Sequence, residues 1–190
     1  MDIWQIFTLV TGVFYIVLEI RQKNLMWVVG VATSVAAMWV FFRQGLYASF
    51  GLNTYYLITS FVGLWHWSRD RRKITENTGS AVHLNHLTPK IILISVLIAV
   101  VGTVALAELM ELVENPMSYL DSSVAVLSAV ATWWLVKAYL QQWWLWIVAD
   151  SLSVALCISQ GMWWMAGLYL LYVLSAVYGL VYWKRHGTYI

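Results

Sequence analysis

Little of this chain is charged, and less still is cysteine or proline. A single cysteine, Cys157, excludes an intrachain disulfide and a cysteine-built metal cluster. Two prolines, Pro89 and Pro116, leave long stretches without a helix breaker. Charged residues make up 11% of the chain against 62% hydrophobic, and mean hydropathy is +0.72. A water-soluble domain of 190 residues would not tolerate that balance, so composition points to an integral membrane protein. No GxxxxGK[ST] phosphate loop is present, which excludes ATP hydrolysis by the chain itself. No nucleophile–base–acid arrangement and no paired acids within one segment suggest an enzyme, and no cofactor is expected. His66, His83, His86 and His186 show no metal-ligand spacing, so no metal site is expected either. Rings of charge and filter sequences of the kind that build channels are missing as well. With a net charge of +2, no nucleic-acid partner is expected.

What the chain does have is seven apolar runs, at about 3–20, 25–42, 46–67, 91–107, 120–136, 143–159 and 162–183. Each is long enough to cross most of a bilayer as a helix, and too continuous for barrel strands. The first begins almost at Met1 without a basic leader or a cleavage pattern, so it reads as a retained helix. Residues 74–90 form the one expected long loop, with Thr88-Pro89 marking the next helix start. If the helices alternate, Arg21, Lys23, Arg69, Arg71, Arg72, Lys73, Lys90, Lys137, Lys184 and Arg185 share one side, and only Arg43 lies on the other. That asymmetry predicts an N-terminus outside and a C-terminus in the cytoplasm.

A shift of 116 residues, which carries Trp27 onto Trp143, superimposes the chain on itself without a gap. It also matches Gln44-Gly45 with Gln160-Gly161, Gly51-Leu52 with Gly167-Leu168, Tyr56 with Tyr172, Gly63-Leu64 with Gly179-Leu180, Trp67 with Trp183, and Arg21 with Lys137. Segments one to three therefore repeat as five to seven, and the fourth is a linker. The expected architecture is all-α: a first three-helix repeat (1–73), a cytoplasmic loop with linker helix (74–116), and a second three-helix repeat with the C-terminal tail (117–190). Because one helix separates the halves, they point the same way across the membrane. Parallel repeats of that kind are a transporter architecture with the substrate near the midplane.

The organising stretch for function is Trp143 to Asp150, which sets tryptophans beside an acid inside an apolar helix. At helical spacing Trp143, Trp146, Asp150, Ser153 and Cys157 share a face. An acid at that depth costs roughly 2.5–3.5 kcal/mol on insertion scales and faces a partner or a wet cavity. Indole faces beside a carboxylate would suit an aromatic cation; the alternative is an interfacial indole belt with Asp150 bonded to a neighbouring helix. Positions that depart from the repeat are the sharper candidates. Asp150 corresponds to Ser34, Asn53 to Tyr169, and Trp146 to Gly30. Tyr56 and Tyr172 lie on matching stripes of segments three and seven. Tyr15 and Glu19 share a face of segment one, where Glu19 either faces the cavity or snorkels to Arg21, Lys23 or water. The candidate substrate set is thus Trp143, Trp146, Asp150, Asn53, Tyr169, Tyr56, Tyr172, Glu19, Tyr15 and Ser34. Gly45 and Gly161 are candidate hinges.

Several blocks together carry a family resemblance: Leu46-Tyr47-Ala48-Ser49, Leu52-Asn53, Asp121-Ser122, Trp143-x-x-Trp146 followed by Asp150, the Gly161 turn, and Tyr178-Gly179 with Trp183. From about Gly12 to Arg185 the chain resembles the PnuC family of bacterial vitamin transporters. The resemblance implies a SWEET-like fold of three helices plus one plus three in the bacterial inner membrane. It also implies facilitated diffusion of an unphosphorylated vitamin, trapping by a cytosolic vitamin kinase, and assembly as a homotrimer. Family members divide among thiamine, nicotinamide riboside and riboflavin. An anionic Asp150, where the nicotinamide riboside branch favours a neutral polar group, ranks thiamine first, nicotinamide riboside second and neutral riboflavin last. A non-transporting signalling or assembly subunit is the rival class.

Overall fold

In lipid every backbone N–H and C=O must find its partner within the chain, so long apolar runs without proline become helices. A computed structural model, which describes residues 3–43, 47–77, 82–112 and 119–189, contains seven of them. They are α1 (Ile3–Ile20), α2 (Leu25–Arg43), α3 (Tyr47–Asn77), α4 (Pro89–Leu112), α5 (Tyr119–Val136), α6 (Gln142–Ser159) and α7 (Trp163–His186). Pro89 opens α4, where a missing N–H costs nothing. Among the described residues, four helices are long and apolar enough to cross a membrane: those at Pro89–Glu111, Tyr119–Val136, Gln142–Ser159 and Trp163–His186. Two helices run well past their apolar stretches. α3 continues from Trp67 through the basic cluster to Asn77, and α4 continues past Ala107 to Leu112. Hydropathy marks where lipid ends, but a helix of charged residues persists in water.

The helices are joined by a small amount of strand. β1 (Val82–Leu84), within the expected loop, pairs in parallel with β2 (Gly187–Tyr189), with Val82 opposite Gly187 and Leu84 opposite Tyr189. The chain divides into two compact units. Unit 1 comprises Met1–Leu84, Val136–Ala138 and Arg185–Ile190, and unit 2 comprises Asn85–Leu135 and Tyr139–Lys184.

Unit 1 is held by Trp27 of α2, Trp67 of α3 and Gly63. The two indoles meet edge to face at 5.0 Å, and a Cβ at Gly63 would fall 2.5 Å from the Trp27 ring. Only glycine permits that approach. Unit 2 repeats the arrangement with the residues 116 positions on. Trp143 of α6 and Trp183 of α7 meet edge to face at 5.4 Å, and a Cβ at Gly179 would fall 2.5 Å from the Trp143 ring. A second cluster in unit 2 packs Val130, Trp134 and Tyr139 against Leu87, Ile91 and Leu145. There the Trp134 indole N–H donates to Ser95 Oγ on α4 at 3.0 Å.

The turns repeat as well. After α1, Gln22 takes a left-handed conformation (φ 49°) and the Lys23 N–H donates to the Leu18 carbonyl at 2.8 Å. After α5, Ala138 does the same (φ 53°) and the Tyr139 N–H donates to the Trp134 carbonyl at 3.0 Å. Both close the helix end with the six-to-one bond of a Schellman motif. Neither uses the glycine that this conformation favours. α6 ends the same way at Gly161 (φ 71°), with the Met162 N–H on the Cys157 carbonyl. Its counterpart Gly45 lies outside the described residues.

Candidate functional site

The α6 face read from helical spacing is the buried face of the helix: Trp143, Asp150, Ser153 and Cys157 are all buried, with Trp146 half-buried. Trp144, one position off that face, is exposed. Ser153 donates its hydroxyl proton back to the Ala149 carbonyl at 2.9 Å, which leaves it only as an acceptor. Asp150 is different. It is 8% exposed and its carboxyl accepts no hydrogen bond among the described residues. Tyr169 and Tyr172 on α7 lie within electrostatic reach of it, with their rings edge to face at 6.0 Å. The structure thus brings together Asp150, Tyr169 and Tyr172, three of the residues singled out from sequence.

The two tryptophans divide between roles. Trp143 is 2% exposed and its ring is taken up by Gly179 and Trp183, so it is placed in the packing of α6 on α7. Trp146 keeps part of its surface open, and its buried indole N–H finds no acceptor among the described residues. Position 146 is also where the units part. Its counterpart in unit 1 is Gly30, and a Cβ there would sit 2.7 Å from Ser60 Oγ and 3.9 Å from the Tyr15 ring. Unit 1 fills with Ser60 and Tyr15 the space that unit 2 gives to an indole.

Unit 1 gathers its own set. Tyr15 on α1 lies within electrostatic reach of Glu19 on the same helix and of Tyr56 on α3. Glu19 and Ser34 are buried, whereas Asn53 is half-buried. Each unit therefore sets a buried acid within electrostatic reach of a tyrosine, Glu19 of Tyr15 and Asp150 of Tyr172, but the acids themselves are not related by the repeat. No group of three His, Cys, Asp or Glu placed to hold a metal occurs among the described residues.

One cluster escaped the sequence reading. At the end of unit 1, the Gln22 side chain donates to the His83 carbonyl at 2.9 Å and accepts from its N–H at 2.8 Å. Asp70 Oδ2 contacts His83 Nε2 and His66 Nδ1, each at 3.7 Å, and Lys137 Nζ donates to His66 Nε2 at 2.9 Å. Apart from His66 and Asp70, one turn apart on α3, the residues lie far apart in sequence, and no local spacing announces the whole cluster.

Comparison with known proteins narrows what this arrangement serves. The family model described as "Nicotinamide mononucleotide transporter" matches residues 2–185. The nicotinamide riboside transporter PnuC of Neisseria mucosa is 27% identical over 190 residues, covering 93% of this chain and 72% of its own. A crystal structure of the vitamin B3 transporter PnuC superposes with a TM-score of 0.71 at 27% identity, over 97% of this chain and 84% of that one. These relatives carry vitamin B3 compounds, which corrects the ranking of thiamine first. A buried acid does not separate two aromatic cations, and the ranking leaned on the charge of Asp150 and on Glu19 as a partner for an aminopyrimidine edge. The chain belongs to the nicotinamide mononucleotide transporter family and is a membrane transporter, not an enzyme.

Proposed function

We propose that this protein carries nicotinamide riboside across the bacterial inner membrane by facilitated diffusion. The observation that carries this reading is the likeness to PnuC transporters of vitamin B3 compounds; Asp150, a buried carboxyl without a hydrogen-bond donor from the described residues and within electrostatic reach of two tyrosines, fits it as a counter-charge. An acid within an apolar helix normally faces a partner or a wet cavity, so one with aromatic neighbours and no donor from the described residues is read as open to a cationic partner from outside the chain. A pyridinium ring supplies the missing charge and stacks on the aromatic faces. The Trp146 indole N–H, also without an acceptor, is free to bond a carboxamide or ribose oxygen.

The same chemistry favours the riboside over its phosphate ester. A phosphate carries nearly two negative charges and would face Asp150, while every Lys and Arg of the chain lies at a segment end and none within an apolar run. Glu19, Tyr15 and Tyr56 in unit 1, with Asn53 and Ser34, are read as the first repeat's contribution to recognition. Trp143 supports the site by fixing α6 on α7.

The wider reading is two parallel three-helix repeats, residues 1–73 and 117–190, joined by a linker helix, with the N-terminus outside and the C-terminus in the cytoplasm. Trapping by a cytosolic vitamin kinase would draw the substrate inward, and a homotrimer is the expected assembly. Purified protein in liposomes tests the core of this. Labelled nicotinamide riboside should equilibrate across the membrane and accumulate only when a kinase and ATP are enclosed. Equilibration of thiamine but not of nicotinamide riboside would overturn the substrate, and no uptake of either would restore the non-transporting class.

A further inference from the structure

On the α6 face that carries Trp143, Trp146 and Asp150, both indole N–H groups and the carboxyl find no hydrogen-bond partner among the described residues. The Trp143 case is shared by the repeat. The Trp27 N–H is unmet too, and each ring is seated against a glycine, so this feature belongs to the packing. The other two are not shared, since their counterparts are Gly30 and Ser34. Trp146 and Asp150 are four residues apart, which in a helix sets their side chains on one face with Cβ atoms about 5–6 Å apart. An indole N–H only donates, and a carboxylate only accepts. A ligand group that satisfies both must present an acceptor and a donor side by side.

A primary carboxamide does so with fixed geometry. Its carbonyl oxygen and its NH2 lie in one plane, conjugated to the ring that bears them. On a pyridinium ring the N–H edge continues into ring C–H bonds that share the positive charge, so a carboxylate set against that edge meets donor and charge together. A ribose hydroxyl also donates and accepts, but a sugar has no aromatic face to stack. The groups within electrostatic reach of Asp150 are the aromatic side chains of Tyr169 and Tyr172, which favour the ring end of the substrate here and the sugar away from it.

We propose that Trp146 and Asp150 together recognise the carboxamide of the substrate, Trp146 donating to its carbonyl oxygen and Asp150 accepting from its NH2, so that the transporter selects the amide against the corresponding acid. The proposal rests on the transport reading. A carboxylate in place of the carboxamide has no hydrogen to give Asp150 and sets a second negative charge against it. Sites that leave a buried polar group unpaired reject an analogue far more sharply than sites that differ only in packing.

The test is a titration, near neutral pH, of the purified protein with nicotinamide riboside and with nicotinic acid riboside, in which a carboxylate replaces the carboxamide. The wild type should bind the amide about tenfold or more tightly than the acid, because like charges set against each other in a site are costly. Asp150→Asn should lose most of that preference, since its side-chain amide both donates and accepts and no longer repels the acid. Each ratio is taken within one protein, so a variant that folds poorly does not imitate a change of preference. Trp146→Phe keeps a ring and removes the N–H, and should weaken the amide roughly three- to tenfold. A wild type that binds amide and acid alike would overturn the proposal, as would a preference unchanged in Asp150→Asn or full affinity for the amide in Trp146→Phe. If the wild type binds neither riboside, the transport reading itself fails and not merely the choice of amide.

Discussion

Unit 1 and unit 2 are built alike where they pack and unlike where they hold charge. Trp27, Gly63 and Trp67 in one reappear as Trp143, Gly179 and Trp183 in the other, down to the edge-to-face rings and the glycine beneath the indole. The left-handed turns at Gln22 and Ala138 share the same six-to-one bond. Against this stands Asp150, whose counterpart is Ser34, and Trp146, whose counterpart is Gly30. What the repeat shares is the packing, together with Tyr56 and Tyr172, and what it does not share are the acid and the indole of α6. A duplicated scaffold keeps its packing because both copies need it.

The largest effects should fall equally on the two units. Trp27→Ala and Trp143→Ala each remove a buried indole and should cost about 3–5 kcal/mol, read as a lower melting temperature in detergent. A Trp143→Ala protein that keeps its melting temperature but loses substrate would break the symmetry and make Trp143 a ligand contact. Gly63→Ala and Gly179→Ala come next. Each drives a methyl into an indole that neighbouring rings hold in place, an overpacking worth roughly 1–3 kcal/mol in either unit.

The matching turns allow a finer division. Ala138→Gly relieves a left-handed alanine and should stabilise the protein by about 1 kcal/mol, seen as a higher melting temperature. Gln22→Gly gains the same relief but loses both bonds to His83, so it should be destabilising on balance by about 1 kcal/mol. Should both substitutions stabilise, the Gln22 grip would be of no consequence. Smallest of all are Gly51→Ala and Gly167→Ala. These glycines are also related by the repeat, yet a Cβ at either meets nothing within 4 Å, so the expected change is only alanine's helix-propensity gain, about 0.5–1 kcal/mol of stabilisation alike in both units.

Much of this was legible in the sequence, for identifiable reasons. Apolar runs report lipid contact, so all seven helices were found and α1 was bounded as observed. The ends of α3 and α4 were not, because charged residues leave the membrane without leaving the helix. The grouping of Asp150 with Tyr169 and Tyr172 followed from an acid out of place in an apolar helix and a stripe at helical spacing on the next. Trp143 carries two signals at once, an indole beside an acid and a counterpart, Trp27, that marks packing. Residues 82–84 gave no strand signal at all, since three residues carry no period and their partner lies at the far end of the chain. The Asp70 cluster was invisible for the same reason. The substrate was not legible either, as one carboxyl serves any aromatic cation.

The most direct test of the central claim is a calorimetric titration of nicotinamide riboside into the wild-type protein and the Asp150→Asn variant, with the melting temperature of each taken without ligand. If the unshared acid is the counter-charge, Asp150→Asn should bind tenfold or more weakly, since removing one partner of a buried charge pair typically costs ~2–5 kcal/mol. Its melting temperature should hold or rise, because a buried acid without a donor among the described residues does not stabilise the empty protein. Unchanged affinity together with a large fall in melting temperature would contradict the account, and would place Asp150 among the groups that hold the helices together.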